Sequence, residues 1–337
     1  TTDGGKTWKK TLYIDKEHGA GDLEMDPSNP SILYATMWRH VRKPWRFDSG
    51  GGESSVWKST DGGVTWRKIM KGLPNQPMDR AGIAASKSNP NTVYLLTEFK
   101  DAGELFRSDD YGETWRKVND DPNLNFRPFY YSDLRVDPKT PERLYTLSGG
   151  LSMSTDGGRT FRRIGGSVHG DHQSFWIDPD NPMRILSGSD GGFQVSGDGG
   201  NTWDVINNIV LSQFYHVTFD MEHPYNVCGG LQDNGNWCGP SNSLMRDGIR
   251  KRNWFTVSGG DGFYTVPDRS NPNLVFSDSQ GGGISLTNTL TGDNRNIHPY
   301  PKRVGPAGDG IAEHKYRFNW NAPIAQSFHD PKVFLFG

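Results

Sequence analysis

Four aspartates lie in short glycine-containing segments and could carry acid–base chemistry. Asp190 lies in SDGG, Asp233 in QDNG, Asp261 in GGDG, and Asp171 in the segment HGDH. Glycine lets a ligand or another chain approach the backbone closely, and the neighbouring carboxylate or amide can then bind hydroxyls or amides. Two carboxylates facing each other across a groove can act as general acid and general base. These four are the candidate catalytic residues, although Asp-Gly and Asn-Gly also form ordinary hairpin turns.

His169, Asp171 and His172 have side chains of the types that bind divalent metal ions. Their spacing is not that of a known ligand signature, and successive side chains at the start of a strand point to opposite faces. We therefore predict no metal ion and no cofactor. Hydrogen bonding to a ligand, or support of catalysis, is the role we expect for these histidines.

Aromatic and basic side chains are concentrated in loops of the same kind. One segment after Tyr34 reads WRHVRKPWRF, and another reads FRPFYYSD. Aromatic rings can stack on sugar rings, while carboxylates and amides bind sugar hydroxyls, but an extended polypeptide can use the same groups, and the sequence leaves both open. The candidate ligand-binding residues are Trp38, Arg39, His40, Trp45, Arg127, Tyr130, Tyr131, His169, His172, His216, Gln232, Asn234 and Gln280.

Cys228 and Cys238 are the two cysteines of the chain and flank Asp233 symmetrically. On a hairpin centred at Asp233 they would lie opposite each other, within reach of a disulfide. We predict a bridge that holds the QDNG loop, with two buried thiols as the alternative. A bridge would indicate an oxidising compartment.

A repeat organises the elements that must position these residues. Five copies of the pattern SxDxGxTW occur, with Thr in place of Ser in the first and Phe in place of Trp in the fourth, and their aspartates are at positions 3, 61, 110, 156 and 198. A second pattern of the type DPxNPxxLY occurs seven times, starting at positions 26, 86, 137, 178, 220, 268 and 330. Its mean spacing is about 50 residues, the length of a propeller blade.

The segment from His172 to Val205 shows the repeat most clearly. HQSFWI predicts strand A, MRILSG strand B, FQVS strand C and TWDVI strand D, separated by turns rich in Pro, Gly and Asp. The sequence therefore predicts an all-β fold, a β-propeller of about seven four-stranded blades with the first and last incomplete. Residues 1–14 should supply a box and a D strand, and Lys332 to Gly337 part of a B strand.

The two ends could complete one blade. We expect residues 1–337 to form a single propeller and to be a segment of a longer chain with further domains.

The order of the strands separates two faces. The A-to-B and C-to-D turns lie on one side, so the B-to-C loops and the D-to-A connections lie on the other, which we call the loop face. The candidate residues above, and Lys100, fall on the loop face. Loops displayed by a rigid scaffold are where binding residues concentrate.

The SxDxGxTW repeat resembles the Asp box, or BNR repeat, of sialidases, xyloglucanase-type glycoside hydrolases and the sortilin family. With the DPxNPxxLY turns, the resemblance covers almost the whole chain and is strongest to the sortilin and xyloglucanase types. We predict a scaffold role for each box: its aspartate accepts hydrogen bonds from the turn, and its Trp or Phe packs between blades. FRP at Phe126 to Pro128 is similar to the FRIP motif of sialidases but follows the third box, so a sialidase is not implied.

Composition excludes other function classes. The 37 Lys and Arg against 39 Asp and Glu give a net charge of −2, so nucleic acid is not an expected partner. The 42 glycines, 21 prolines and 12% aromatic residues are typical of an all-β chain with many tight turns. No apolar stretch approaches the ~18 residues of a membrane helix, so no membrane span is predicted.

These observations predict an extracytoplasmic, sortilin-like Asp-box propeller whose loop face binds a glycan, such as a polysaccharide, or an extended polypeptide. One alternative is a glycoside hydrolase of xyloglucanase type, with an acid/base pair among the four aspartates. Another is an architectural protein–protein interaction module of a surface assembly. The sequence leaves open whether the chain is an enzyme. The expected location is extracellular, at the cell surface or periplasmic.

Overall fold

A computed structural model describes residues 1–99, 102–206, 208, 212–300 and 315–337. Lys100 lies outside the described residues. The chain divides into two compact units, which we call unit 1 (Thr1–Ile206) and unit 2 (Asn207–Gly337). Among the described residues, no helix is long and apolar enough to span a bilayer.

The described part of unit 1 consists of short strands and one 3-10 helix, Pro122–Asn125. Its strands in chain order are β1 (His18–Met25), β2 (Leu33–Lys43), β3 (Arg46–Ser49), β4 (Ser55–Ser59), β5 (Arg67–Lys68), β6 (Met78–Ala85), β7 (Val93–Phe99), β8 (Ala102–Ser108), β9 (Arg116–Asn119), β10 (Asp133–Val136), β11 (Leu144–Leu147), β12 (Leu151–Ser154), β13 (Arg162–Ile164), β14 (His172–Ile177), β15 (Ile185–Ser189), β16 (Gly192–Ser196) and β17 (Asp204–Val205).

Unit 2 has the same character, with 3-10 helices at Lys251–Asn253 and Gln280–Gly282 among its described residues. Its strands are β18 (Phe214–Phe219), β19 (Asn226–Leu231), β20 (Gly235–Pro240), β21 (Phe255–Ser258), β22 (Gly262–Pro267), β23 (Leu274–Ser279), β24 (Gly283–Asn288), β25 (Asn294–Asn296), β26 (Ile324–Gln326) and β27 (Phe334–Phe336).

The strands pair in chain order into antiparallel sheets, which confirms the predicted all-β propeller class. Unit 1 has four sheets, β1–β5, β6–β9, β10–β13 and β14–β17, and in the first of them β3 is an extra strand paired only with β2. The described part of unit 2 has the four-stranded sheets β18–β21 and β22–β25 and the two-stranded sheet β26–β27. The predicted strands of the His172 to Val205 repeat coincide with β14–β17.

One predicted strand does not form. Residues 9–14 have no strand structure, although a D strand was expected there. The D strand of a blade must pair with a C strand, and no described strand of unit 1 pairs with these residues. The prediction for residues 9–14 was therefore wrong, while the box turn that precedes them is formed.

The five Asp boxes all lie in unit 1 and share one hydrogen-bond pattern. In the second box, Asp61 accepts the N–H groups of Val64 at 3.0 Å and Thr65 at 2.9 Å, and the Thr65 hydroxyl at 2.5 Å. The Ser59 hydroxyl donates to Asp61 at 2.8 Å and accepts the N–H of Gly63 at 2.8 Å. The equivalent threonine N–H reaches the aspartate in the other four boxes. The predicted hydrogen-bonding role of the boxes is confirmed.

The core of unit 1 lies between successive sheets. Tyr34, Val56, Leu95 and Phe106 are almost completely buried in one cluster between the first two sheets. Trp115 of the third box is buried in the same cluster, and its indole N–H donates to the carbonyl of Ile69 at 2.8 Å. Burying side chains of this size contributes about 1.5 to 3 kcal/mol each, so the third box ties its turn to the core.

Candidate ligand-binding face

The segment after Tyr34 extends from the first sheet as a hairpin, which we call the hairpin arm (Trp38 to Ser49). β2 continues beyond its pairing with β4, and β3 folds back on this extension, with Pro44 and Trp45 at the turn. Trp45 is 82% exposed. The extra strand thus displays an aromatic side chain away from the sheet.

A continuous series of rings begins on one side of the hairpin arm. We call it the aromatic row, and its members are Trp38, His40, Phe47, Phe129, Tyr130 and Tyr131. Its exposed members include Phe47 (42%) and Tyr130 (46%), whereas Tyr131 is buried. Consecutive ring centroids are 4.5 Å apart for Trp38–His40, 5.5 Å for His40–Phe47, 4.9 Å for Phe47–Phe129, 5.0 Å for Phe129–Tyr130 and 6.1 Å for Tyr130–Tyr131. The distances up to Tyr130 are those of ordinary aromatic contacts.

Polar contacts from the start of β6 fix the row. The indole N–H of Trp38 donates to Asp79 Oδ1 at 3.0 Å, and the Ser49 hydroxyl donates to the same carboxylate. Arg80 Nη1 donates to the carbonyl oxygen of Tyr130 at 2.5 Å, and its guanidinium lies 5.9 Å from the Trp38 ring centroid. One arginine therefore connects Trp38 at the start of the row with Tyr130 near its other end.

The buried end of the row meets a candidate aspartate. The Tyr131 hydroxyl donates to Asp171 Oδ1 at 2.5 Å. Burial, reinforced by this carboxylate, raises the pKa of Tyr131, so the phenol stays protonated and can donate. The backbone N–H of Asp190 is 3.4 Å from the Asp171 carbonyl, so the two candidate aspartates of unit 1 are neighbours.

Backbone strain accumulates beside this end of the row. Arg127, Ser132 and Asp171 have φ values of +54°, +51° and +58° without being glycine. Such conformations cost of order 1 kcal/mol or more each and cluster at functional sites. Arg127 is exposed, with its guanidinium 5.7 Å from the Phe126 ring centroid.

Other predicted residues of unit 1 lie away from the row. Arg39 forms ion pairs with Glu17 at 2.9 Å and Asp48 at 3.2 Å. His169 Nδ1 lies 3.0 Å from the Gly170 carbonyl. His172 is buried, with Nδ1 2.9 Å from the Ser187 hydroxyl, and burial lowers its pKa to about 4. His172 was predicted as a ligand-binding residue, and the structure places it as a neutral, enclosed side chain in the interior of its sheet.

The predicted residues of unit 2 bind one another through their loops. The N–H of Asp233 donates to Asp261 Oδ1 at 2.8 Å, and the N–H of Asp261 donates to Gln280 Oε1 at 2.8 Å. Gln232 accepts the Tyr215 hydroxyl at 2.8 Å, and the Asn234 side chain donates to the Gln232 carbonyl at 2.9 Å. Three loops are thereby connected in series.

Glycines let these loops touch. A Cβ on Gly230 would lie 2.2 Å from the carbonyl carbon of Gly262, and one on Gly262 would lie 2.3 Å from the carbonyl oxygen of Gly235. A Cβ on Gly235 would lie 2.3 Å from the Ser258 carbonyl oxygen. The close approach that the sequence suggested for a ligand is made here by the neighbouring loop.

His216 and Asp278 of unit 2 are both in contact with Tyr264. The His216 ring stacks on Tyr264 at 3.9 Å, and its Nε2 is 3.0 Å from Asn321 Nδ2. Asp278 is 1% exposed and accepts the Tyr264 N–H at 2.5 Å, and burial raises its pKa to about 7. This carboxyl has a raised pKa but no access to a groove.

Cys228 and Cys238 form a disulfide between the paired strands β19 and β20. The bridge lies beneath the loop that carries Gln232 to Asn234. Both cysteines are buried.

Residues 54–170 match the Sortilin-Vps10 family model, described as sortilin, neurotensin receptor 3. A probable oligoxyloglucan-reducing end-specific xyloglucanase of Neosartorya fischeri is 25% identical over 190 residues, 51% of this chain and 22% of that protein. Xyloglucanase Xgh74A of Acetivibrio thermocellus is 30% identical over 149 residues, 36% of this chain and 16% of that protein. The chain therefore spans less than a quarter of either relative.

Two solved structures that align with this chain are a GH74 enzyme and a YCF48 protein. A GH74 enzyme of Niastella koreensis aligns with a TM-score of 0.43 and 16% identity, covering 82% of this chain and 45% of that one. YCF48 bound to D1 peptide aligns with a TM-score of 0.42 and 10% identity, covering 87% and 86%. The resemblance to Asp-box propellers of the sortilin and xyloglucanase types is confirmed by the family-model match and the curated relatives.

The part that matches the Sortilin-Vps10 model contains Asp79, Arg80 and the rings Phe129 to Tyr131, but not the hairpin arm. Sequence reasoning did not select Phe47 or Phe129 as members of a site. The alternation of Trp38, His40 and Arg42 within a strand could have indicated one face of the arm. The pairing of that face with Phe47 required the register of β2 and β3.

Proposed function

We propose that the aromatic row, together with Trp45, is a polysaccharide-binding surface of an extracytoplasmic protein. The observation that carries this proposal is the unbroken series of rings from Trp38 to Tyr131, with Phe47 and Tyr130 exposed. Aromatic rings bury the apolar faces of sugars while polar neighbours bind hydroxyls. Because the exposed groups of the row are rings, the mode of binding that it offers is stacking, which suits a sugar chain and which a peptide bound by strand addition does not need.

Two further observations support the proposal. The curated relatives are named as xyloglucanases, which act on a polysaccharide, and that ligand class is carried over to this chain as part of the proposal. The disulfide between Cys228 and Cys238 suits an oxidising compartment outside the cytoplasm.

Affinity electrophoresis of the whole chain in gels containing xyloglucan or mixed-linkage glucan tests the proposal. Trp45→Ala, Phe47→Ala and Tyr130→Ala should each weaken binding about fivefold, because each removes one stacking ring. Trp8→Ala is the matched control, since Trp8 is 79% exposed but belongs to the first Asp box. It should bind like the unchanged protein.

The outcomes separate the hypotheses. Equal loss of binding in Trp8→Ala and Trp45→Ala would refute a specific surface. Binding of an extended polypeptide in place of any polysaccharide would assign the row to a protein ligand. Absence of binding to either class would leave the architectural module.

Hydrolysis is a second proposal, favoured by the carboxylate of Asp171 at the end of the row beside Asp190. A glycoside hydrolase needs two carboxylates as acid and base or as acid and nucleophile. Reducing-end release from the same polysaccharides, compared between the unchanged protein, Asp171→Asn and Asp190→Asn, tests it. Loss of release in a folded variant that still binds would establish catalysis, whereas binding without release from any substrate would leave a recognition surface.

A further inference from the structure

We propose that the aromatic row takes an acidic polysaccharide and that Arg42 binds the carboxylate of a uronic acid unit stacked on the row. The inference rests on the polysaccharide-binding function proposed above and specifies its ligand class. It depends on the face of the hairpin arm on which Arg42 lies and on the ion pairs that the nearby acidic side chains form.

Arg42 shares a face with the rings. It is directly opposite Phe47 in the register of β2 and β3, and directly opposite residues of antiparallel strands project to the same side. His40 is two residues before it on β2 and contacts Phe47 at 5.5 Å. The exposed Arg42 side chain therefore extends the row beyond its exposed rings.

The acidic groups of the arm are engaged on its other side. Asp48 is opposite Val41, the neighbour of Arg42 in the chain, so its side chain projects to the face opposite that of Arg42. It pairs with Arg46 at 2.6 Å and with Arg39 at 3.2 Å. Glu17 also pairs with Arg39. Among the residues that the structure describes, no carboxylate lies within 4 Å of the Arg42 guanidinium. Arg42 thus has its ion-pairing capacity available.

The polar groups at the Trp38 end of the row also favour a negatively charged ligand. Arg80 lies against Trp38, and the nearby Asp79 carboxylate already accepts from Trp38 and Ser49. A sugar stacked at this end would therefore meet the Arg42 guanidinium, while the Asp79 carboxylate is already engaged. Guanidinium donates two parallel N–H bonds to a carboxylate, and a neutral sugar has no charged acceptor for them.

Calorimetric titration of the whole chain with three probes tests the assignment. Polygalacturonate supplies the ring and the charge, its methyl ester keeps the ring without the charge, and poly-L-glutamate keeps the charge without the ring. We expect polygalacturonate to bind about tenfold more tightly than the ester at low salt, with the preference shrinking as salt is added.

Variants locate the effect. Arg42→Gln should reduce polygalacturonate affinity to that of the ester and leave ester binding within about twofold, while Arg42→Lys should keep part of the preference. Arg46→Gln is the matched control, because Arg46 is on the same arm but pairs with Asp48 on the other side. It should retain the preference.

Each contrary result has one meaning. Equal affinity for polygalacturonate and its ester would overturn the acidic ligand while leaving polysaccharide binding intact. Binding of poly-L-glutamate as tightly as polygalacturonate would assign the surface to an acidic polypeptide instead. Binding of none of the polysaccharides, xyloglucan included, would overturn the proposed function as well.

Discussion

In unit 1 the turn before the last strand of each sheet is closed by an Asp box, whereas the sequence of unit 2 contains no complete box. Its sheets β18–β21 and β22–β25 are connected by loops that hydrogen-bond to each other, and a disulfide links β19 to β20. The turns of one unit are thus closed by local side-chain contacts, whereas loops far apart in sequence bond to each other in the other unit.

The difference bears on function. Where boxes hold the turns on one side of the sheets, the loops at their other ends remain available to display rings, as the hairpin arm does with Trp45 and Phe47. Where the loops themselves provide the contacts between sheets, their polar residues are occupied, as Asp261 and Gln280 are. In unit 2, the Asp261 carboxylate and the Gln280 amide are therefore engaged in contacts between loops, whereas in unit 1 the rings of the hairpin arm are exposed.

The largest expected effect comes from the buried carboxyl of unit 2. Burial raises the pKa of Asp278 to about 7 from 3.8, so the folded state holds its proton more tightly than the unfolded chain. Stability from this group is complete below about pH 4 and is lost as the pH rises through 7, by at most about 4 kcal/mol. Asp278→Asn lacks this titration.

Urea unfolding at pH 4.5, 5.5 and 7 measures this contribution of Asp278 to the free energy of unfolding. The stability of Asp278→Asn relative to the unchanged protein should increase with pH, and the exposed Asp293→Asn should show no such trend. A relative stability that decreases with pH would show that the carboxylate form is favoured by the fold.

Loop contact in unit 2 is tested by Gly262→Ala. The added Cβ would lie 2.3 Å from the Gly235 carbonyl oxygen, and because the obstacle is backbone, relief requires a shift of a whole loop. We expect a loss of about 3 kcal/mol. Gly259→Ala is the control, since a Cβ there meets no atom within 4 Å. Equal stability of the two variants, with weaker ligand binding in Gly262→Ala, would restore the ligand interpretation of these glycines.

Sequence reasoning succeeded for features determined by short-range contacts. The boxes and the four strands of the His172 to Val205 repeat follow from turn residues and from alternation within a few positions. The candidate site was found in part: Trp38, His40, Trp45, Tyr130 and Tyr131 were predicted as ligand-binding residues and lie along or beside the aromatic row.

What was missed depends on long-range pairing. Phe47 and Phe129 meet across 82 positions of the chain, and burial of His172 depends on the neighbouring strands that carry Ser187 and Gln194. The balanced net charge likewise could not show that Arg42 lies apart from Asp48, because that separation follows from the register of the hairpin arm.

The smallest expected effect is in unit 1, where a box secures one turn. Hydrogen bonds from the hydroxyl and N–H of Thr65 lower the pKa of Asp61 to about 2, so its stabilisation is present above about pH 4 and lost as the pH falls through 2. Asp61→Ala should lower Tm by a few degrees at pH 7 and by less near pH 2.

Asp3→Ala is the matched comparison for Asp61→Ala. Asp3 makes the same bonds to Thr7, but Trp8 is largely exposed and no strand follows, so little structure depends on that turn. Calorimetry should show a smaller change in Tm for Asp3→Ala than for Asp61→Ala. If Asp61→Ala instead destabilised the chain as much as Gly262→Ala, the turn closed by the box would matter to unit 1 as much as the loop contacts matter to unit 2, and the contrast between the two units would fail.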